Sequence, residues 1–150
     1  MKTAPCSARK ETGSQMTEKN YLRPEMPPAQ VHAMSSLALA HVGDAVFELM
    51  VRVYLAPGGG KNGSLHQAAV EMVNAAAQAG DMEKLLPLLS PEEAEVFRRG
   101  RNVKVHSVPK HARLGDYHAA TGLEALFGYL YLLGRRDRLN ALFAAIVEGP

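Results

Sequence analysis

The sequence predicts an all-α domain, and three observations predict it. From Ser35 onward apolar residues recur at helical spacing. Proline, glycine and serine cut that pattern into pieces of helix length. No stretch shows sustained strand alternation bounded by turn residues, so helices must pack on helices.

Each element has its own signal. Ser35 or Ser36 can cap a first helix through LALAHVGDAVFELMVRVYLA, which stops at Pro57. Gly58, Gly59 and Gly60 then break the chain into a loop. A second helix is expected from Ser64 to about Ala79, and a third, short one over residues 81–89. Ser90-Pro91-Glu92-Glu93 opens a fourth, with serine at the cap, proline at the first helical position and acids in the first turn. It is expected to end near Gly100, before a basic loop over residues 101–114. A fifth helix is expected over 116–133, closed by Gly134, and a sixth over 137–147.

A chain of 150 residues with 47% apolar content suffices for one domain with a proper core. Residues 1–27 read as a flexible polar tail and 28–150 as the folded domain. The single cysteine, Cys6, excludes an intramolecular disulfide and a multi-cysteine metal site. The N-terminus lacks the apolar run of a signal peptide, and no apolar run is long enough to span a bilayer. A cytoplasmic protein without a membrane partner is expected. Residues 45–56 and 123–133 are apolar nearly all round. Such helices are either the central pair of a monomer or are covered by a partner; in a domain this small they suggest a subunit interface.

Two acids sit inside those apolar helices: Asp44 in Val42-Gly43-Asp44-Ala45-Val46 and Glu124 in Gly122-Leu123-Glu124-Ala125-Leu126. A mid-helix glycine costs about 1 kcal/mol against alanine, so Gly43 and Gly128 imply close approach of another backbone or a ligand. Buried ionised carboxylates need a partner or a metal. If the two helices pack side by side, Asp44 and Glu124 converge on one hard cation, for which magnesium is the fitting choice. The alternative is a pair of surface acids, or acids bonded to Arg52, Arg135 or Arg136. Glu48 lies one turn after Asp44, as a further ligand or as a salt-bridge partner of Arg52, the second being favoured. His41 lies one turn before Asp44, to orient a water or contact phosphate, or as a core histidine.

A second signal is cationic. Arg98-Arg99-Gly100-Arg101-Asn102-Val103-Lys104 leads on to His106, Lys110, His111 and Arg113, with no acid before Gly115. The formal net charge is only +2, so this concentration makes a local field suited to phosphate backbones. The run holds no aromatic residue, which argues against base stacking on single strands and for a duplex. Gly58-Gly59-Gly60-Lys61 is not a nucleotide-binding loop, because Asn62 follows the lysine and no strand precedes it.

These residues resemble a known family. Leu39-Ala40-His41-Val42-Gly43-Asp44-Ala45-Val46 is similar to the signature helix of ribonuclease III catalytic domains. Leu123-Glu124-Ala125-Leu126-Phe127-Gly128-Tyr129-Leu130-Tyr131-Leu132 is similar to their second catalytic helix. Arg99-Gly100-Arg101-Asn102 and the Leu132-Leu133-Gly134 ending resemble the bacterial Mini-ribonuclease III subclass. The resemblance implies a helical homodimer that cuts double-stranded RNA with magnesium, or manganese in its place, in the maturation of large-subunit ribosomal RNA precursors. It makes Asp44 and Glu124 the metal-binding catalytic acids. The basic loop is then the candidate for the RNA contacts, through Arg98, Arg99, Arg101, Asn102, Lys104 and Lys110, and His41, Glu48 and Thr121 are candidates for supporting the acids. Full-length ribonuclease III has further acids where this chain has Leu37, Ala40 and Thr121, a reduction the subclass shares. Ala76 stands where the subclass pattern has lysine. The rival reading is a non-catalytic duplex-RNA-binding or ribosome-associated scaffold of the same fold.

Overall fold

The structure, a computed structural model, describes residues 19–60, 63–104 and 106–149. The first eighteen residues of the expected tail, Cys6 among them, and Lys61 and Asn62 of the glycine loop lie outside these. Among the described residues the α-helices are α1 Pro28–His32, α2 Ser36–Leu55, α3 Ser64–Val73, α4 Ala75–Leu85, α5 Pro91–Arg101, α6 Leu114–Leu132 and α7 Arg136–Glu148, and no strand occurs.

The capping chemistry fixes where helices begin. Ser35 Oγ accepts the N–H of Ala38 and starts α2. Ser90 and Glu93 form a reciprocal capping box at α5, with Pro91 at the first helical position. Each such cap stabilises by about 1 kcal/mol.

α6 is the axis of the domain. α2, α4, α5 and α7 all pack on it. Its Leu123, Leu126, Phe127 and Leu130 are fully buried. Phe47 of α2 meets Phe127 edge-on at 5.3 Å and Phe143 of α7 at 6.0 Å. Of the two apolar helices read from sequence, α6 is covered by its own chain, whereas α2 leaves Leu49 and Val53 54% and 64% exposed.

Two elements differ from the sequence reading. The helix expected from Ser64 to about Ala79 breaks at Asn74, which is extended. Asn74 Oδ1 accepts the N–H of Ala77, and its Nδ2 donates to the carbonyls of Val70 and Glu71. One side chain therefore closes α3 and opens α4, which runs to Leu85 and absorbs the start of the helix expected over 81–89. The second difference is α1, a short helix ahead of the first one expected at Ser35; Pro28 occupies its first helical position, where its fixed φ suits. The segment before it packs along the end of α6: Met26 N–H donates to the Leu132 carbonyl at 2.8 Å, Tyr131 Oη to the Leu22 carbonyl, and Arg136 pairs with Glu25.

Candidate active site

The two acids meet because two helices touch at bare backbone. A Cβ added to Gly43 would lie 1.6 Å from the Glu124 carbonyl oxygen, and one added to Gly128 would lie 2.0 Å from the Leu39 carbonyl oxygen. No side chain fits at either point, so α2 and α6 cross with glycine against backbone on both sides. The close approach expected of these glycines is thus to a backbone. Asp44 follows Gly43 directly, and Glu124 owns the carbonyl that Gly43 touches, so the crossing places the acids as neighbours.

Their surroundings differ. Glu124 is partly buried, while Asp44 is exposed, although the apolar residues around both suggest burial. The reason is the open side of α2, where Ala45, Leu49 and Val53 are also exposed. Burial pushes the Glu124 carboxyl up to about 7, the negative charge of Asp44 pushes in the same direction, and a hydrogen bond from the Gln78 side chain works against both. Among the described residues, the groups acting on Glu124 include an acid and an amide but no cation.

A second glycine contact brings the basic segment close. A Cβ on Gly100 of α5 would lie 2.8 Å from Ala125 Cβ and 3.0 Å from Gly122 Cα, and one on Gly122 would strike the Phe97 ring at 2.5 Å. The C-terminal end of α5 is thereby seated against α6 beside Glu124. The predicted cations divide there into two sets. Arg98 donates twice to Glu95, at 2.7 and 2.8 Å, and Arg99 lies 3.6 Å from the same carboxylate. Glu95 precedes the run in sequence but sits one turn back on the helix, and it neutralises part of their charge. Arg101, Asn102 and Lys104 instead line an open groove of about 890 Å³ with His106 and His118. Lys110 is exposed outside that groove.

The supporting candidates resolve individually. Glu48 pairs with Arg52 at 2.6 Å, the salt bridge favoured from sequence. His41 is exposed, hence not a core histidine. Thr121 is buried and its hydroxyl donates to the Tyr117 carbonyl of its own helix at 3.0 Å. Beyond Thr121 and Glu124 opens a cavity of about 600 Å³, bordered also by Asn74, Gln78, His111 and Arg113. Sequence reasoning singled out neither Gln78 nor Asn74 for this site. Their signal was weak but present: each is a polar side chain in an alanine-rich stretch, Asn74 a residue type that favours helix caps and Gln78 one that nothing local requires.

The donor set suits one kind of cation. Among the described residues no three His, Cys, Asp or Glu side chains cluster to hold a metal. Two carboxylates of like charge on neighbouring helices are donors of the kind a hard divalent cation such as magnesium takes, since it is bound through one or two carboxylates and completes its shell with water and phosphate.

A helical domain with two acids at one helix crossing and a cationic groove where α5 leads into α6 has the elements of a phosphodiester-cutting enzyme, and comparison with known proteins gives the family. Residues 37–135 match the family model described as Ribonuclease III domain. The chain is 47% identical over 126 residues to Mini-ribonuclease 3 of Synechocystis sp., covering 83% of this chain and 85% of that one. It is 44% identical over 113 residues to the protein of the same name from Symbiobacterium thermophilum, covering 75% and 87%. A crystal structure of a Fusobacterium nucleatum protein superposes with a TM-score of 0.73 at 29% identity, covering 80% of this chain and 97% of that one. The chain belongs to the ribonuclease III family, on its Mini-ribonuclease 3 branch, and is an endoribonuclease. Among the described residues no helix is long and apolar enough to cross a membrane.

Proposed function

We propose that the protein hydrolyses double-stranded RNA with magnesium, or manganese in its place, as a cytoplasmic homodimer, and that its cellular substrate is the precursor of large-subunit ribosomal RNA. Residues 28–150 form the catalytic unit in this reading and residues 1–27 a polar extension. The observation that supports it is the glycine crossing, which brings the backbone beside Asp44 against that of Glu124, while the described groups that act on Glu124 are an acid and an amide and no cation. Such a pair is poised to share an ion rather than to stabilise the fold. Asp44 and Glu124 would hold the magnesium, which when bound supplies Lewis-acid polarisation of the phosphate. Arg101, Asn102 and Lys104 hold the RNA backbone in their groove and fix its position relative to the acids. Arg98 and Arg99 contribute less, because Glu95 already occupies them.

The dimer reading rests on α2. Its Ala45, Leu49 and Val53, each one turn from the next, form an exposed apolar strip on the helix that carries Asp44. A second copy seated on it would cover the strip and present two acid pairs to one duplex, one for each strand.

The deciding assay is cleavage of long duplex RNA in magnesium, with the unaltered protein beside Asp44→Asn and with EDTA as control. Cleavage by the unaltered protein alone, abolished by EDTA, is the expected result. Equal cleavage by Asp44→Asn would sink the two-acid site. Duplex binding without cleavage in either metal would favour the scaffold reading over hydrolysis.

A further inference from the structure

α4 offers a polar side chain to the site from a run of alanines, and the fold buries it. Gln78 is 2% exposed, deeper than either acid. Its helix is pinned at the start by Asn74, which bonds both the last turn of α3 and the first turn of α4. Ala75, Ala76, Ala77 and Ala79 keep the rest of that stretch small, and α4 packs closely on α6. One turn in from the cap, Gln78 faces the cavity that Glu124 also borders, and its side chain acts on the Glu124 carboxylate as a hydrogen-bond partner that lowers it. An ionised carboxylate can only accept, so the amide N–H is the donor.

We propose that Gln78 is a positioning residue: it fixes the orientation of the Glu124 carboxylate toward Asp44, and does so with a neutral donor. The inference rests on Glu124 being a cation-binding acid. The choice of group is what points to this role. A lysine or arginine would orient the carboxylate equally well, but would cancel the charge that a cation needs. An apolar side chain would leave the charge and let the carboxylate turn into the cavity. An amide donates one N–H and adds no charge. The same chain shows the alternative elsewhere: buried Glu93 is held by two bonds from Arg138, and there the charge is cancelled.

The test compares Gln78→Met, which keeps length and loses the donor, with Gln78→His, which keeps an N–H. Three readings are taken on each full-length variant: thermal melting, Mn²⁺ binding to RNA-free protein by electron paramagnetic resonance, and kcat and KM on duplex RNA. Gln78→Met is expected to melt within about 5 °C of the unaltered protein, to bind Mn²⁺ about tenfold more weakly, and to lose about tenfold in kcat with KM nearly unchanged. Gln78→His is expected to recover most of the Mn²⁺ affinity. Unchanged Mn²⁺ affinity and kcat in Gln78→Met would overturn the proposal. So would a folded Gln78→His that binds Mn²⁺ no better than Gln78→Met. If Gln78→Met fails to fold, Gln78→His decides alone: retained Mn²⁺ affinity supports the role and lost affinity removes it. Glu124→Gln, run alongside, separates this inference from the one beneath it. Unchanged Mn²⁺ affinity in Glu124→Gln removes the metal-binding role of Glu124 itself, whereas loss there with none in Gln78→Met removes only the role of Gln78.

Discussion

Glu93 and Glu124 are two glutamates withdrawn from solvent in one small domain, and the fold treats them oppositely. Glu93 is 3% exposed, receives two bonds from Arg138 at 2.8 and 2.9 Å, and accepts the N–H of Ser90. The Arg138 guanidinium holds its carboxyl below the ordinary range. Glu124 meets an acid and an amide instead, and burial lifts it to about 7. The first carboxylate ties α5 to α7 and spends its charge inside the protein. The second keeps its charge unspent at the helix crossing. A structural acid and a functional one are distinguished here less by burial than by whether the chain itself supplies the counter-charge.

Breaking the structural pair should have the largest effect on stability. Arg138→Met leaves Glu93 buried without its cation and is expected to cost about 3 kcal/mol in urea unfolding at pH 7, less than a fully buried pair would because the guanidinium is partly in water. A loss below about 1 kcal/mol would mean that the capping box alone satisfies Glu93.

The next effect has the opposite sign. A carboxyl raised to about 7 when folded, against an ordinary value of 4.5, destabilises the fold fully above the folded value and not at all below the unfolded one. Stability of the metal-free protein attributable to Glu124 therefore falls as pH rises from 4.5 to 7. Glu124→Gln removes that fall and should stabilise by on the order of 2 kcal/mol at pH 8, with no gain from this source near pH 4. Glu93 runs the other way: its contribution is present above the ordinary glutamate value and is lost as pH drops through its lowered folded value. Urea midpoints of the metal-free protein and of Glu124→Gln across pH 4 to 8 check both signs, and parallel curves would refute the assignment.

Smaller effects fall outside the two acids. Val53→Asp on the open face of α2 is expected to change the stability of the single chain by no more than about 0.5 kcal/mol, yet to shift the protein to monomer in sedimentation. A variant that stays dimeric would move the interface off α2. Smallest of all is the contrast within the basic segment. Lys104→Ala should lower the slope of log affinity for duplex RNA against log salt by about 0.9, and Arg98→Ala by visibly less, because Glu95 already faces it. Equal slopes would show that RNA displaces Glu95.

Much of this was legible in the sequence. The serine cap at Ser90 announced α5, and Gly43 and Gly128 announced a close approach of a backbone or a ligand, because a glycine inside a helix has a cost that something must justify. The acids were legible for the same reason, as charges in apolar runs. Asn74 was missed because alanine-rich neighbours read as uninterrupted helix, although asparagine is a favoured cap. Gln78 was missed because its partner lies 46 residues away, and periodicity carries no information on which polar side chain will meet which. Glu95 was in plain view at helical spacing from Arg98 and Arg99, but a basic run counted from its first arginine excludes the acid just before it.

The glycine crossing also acts as a mechanical index. Sliding α2 along α6 by one turn would bring Leu39 or Phe47 to the point where Gly43 now lies against the Glu124 carbonyl, and neither side chain has room there. The helices thus have one permitted register, like a key in its slot. The spacing of the acids is cut into the main chain, while their side chains supply only the final adjustment.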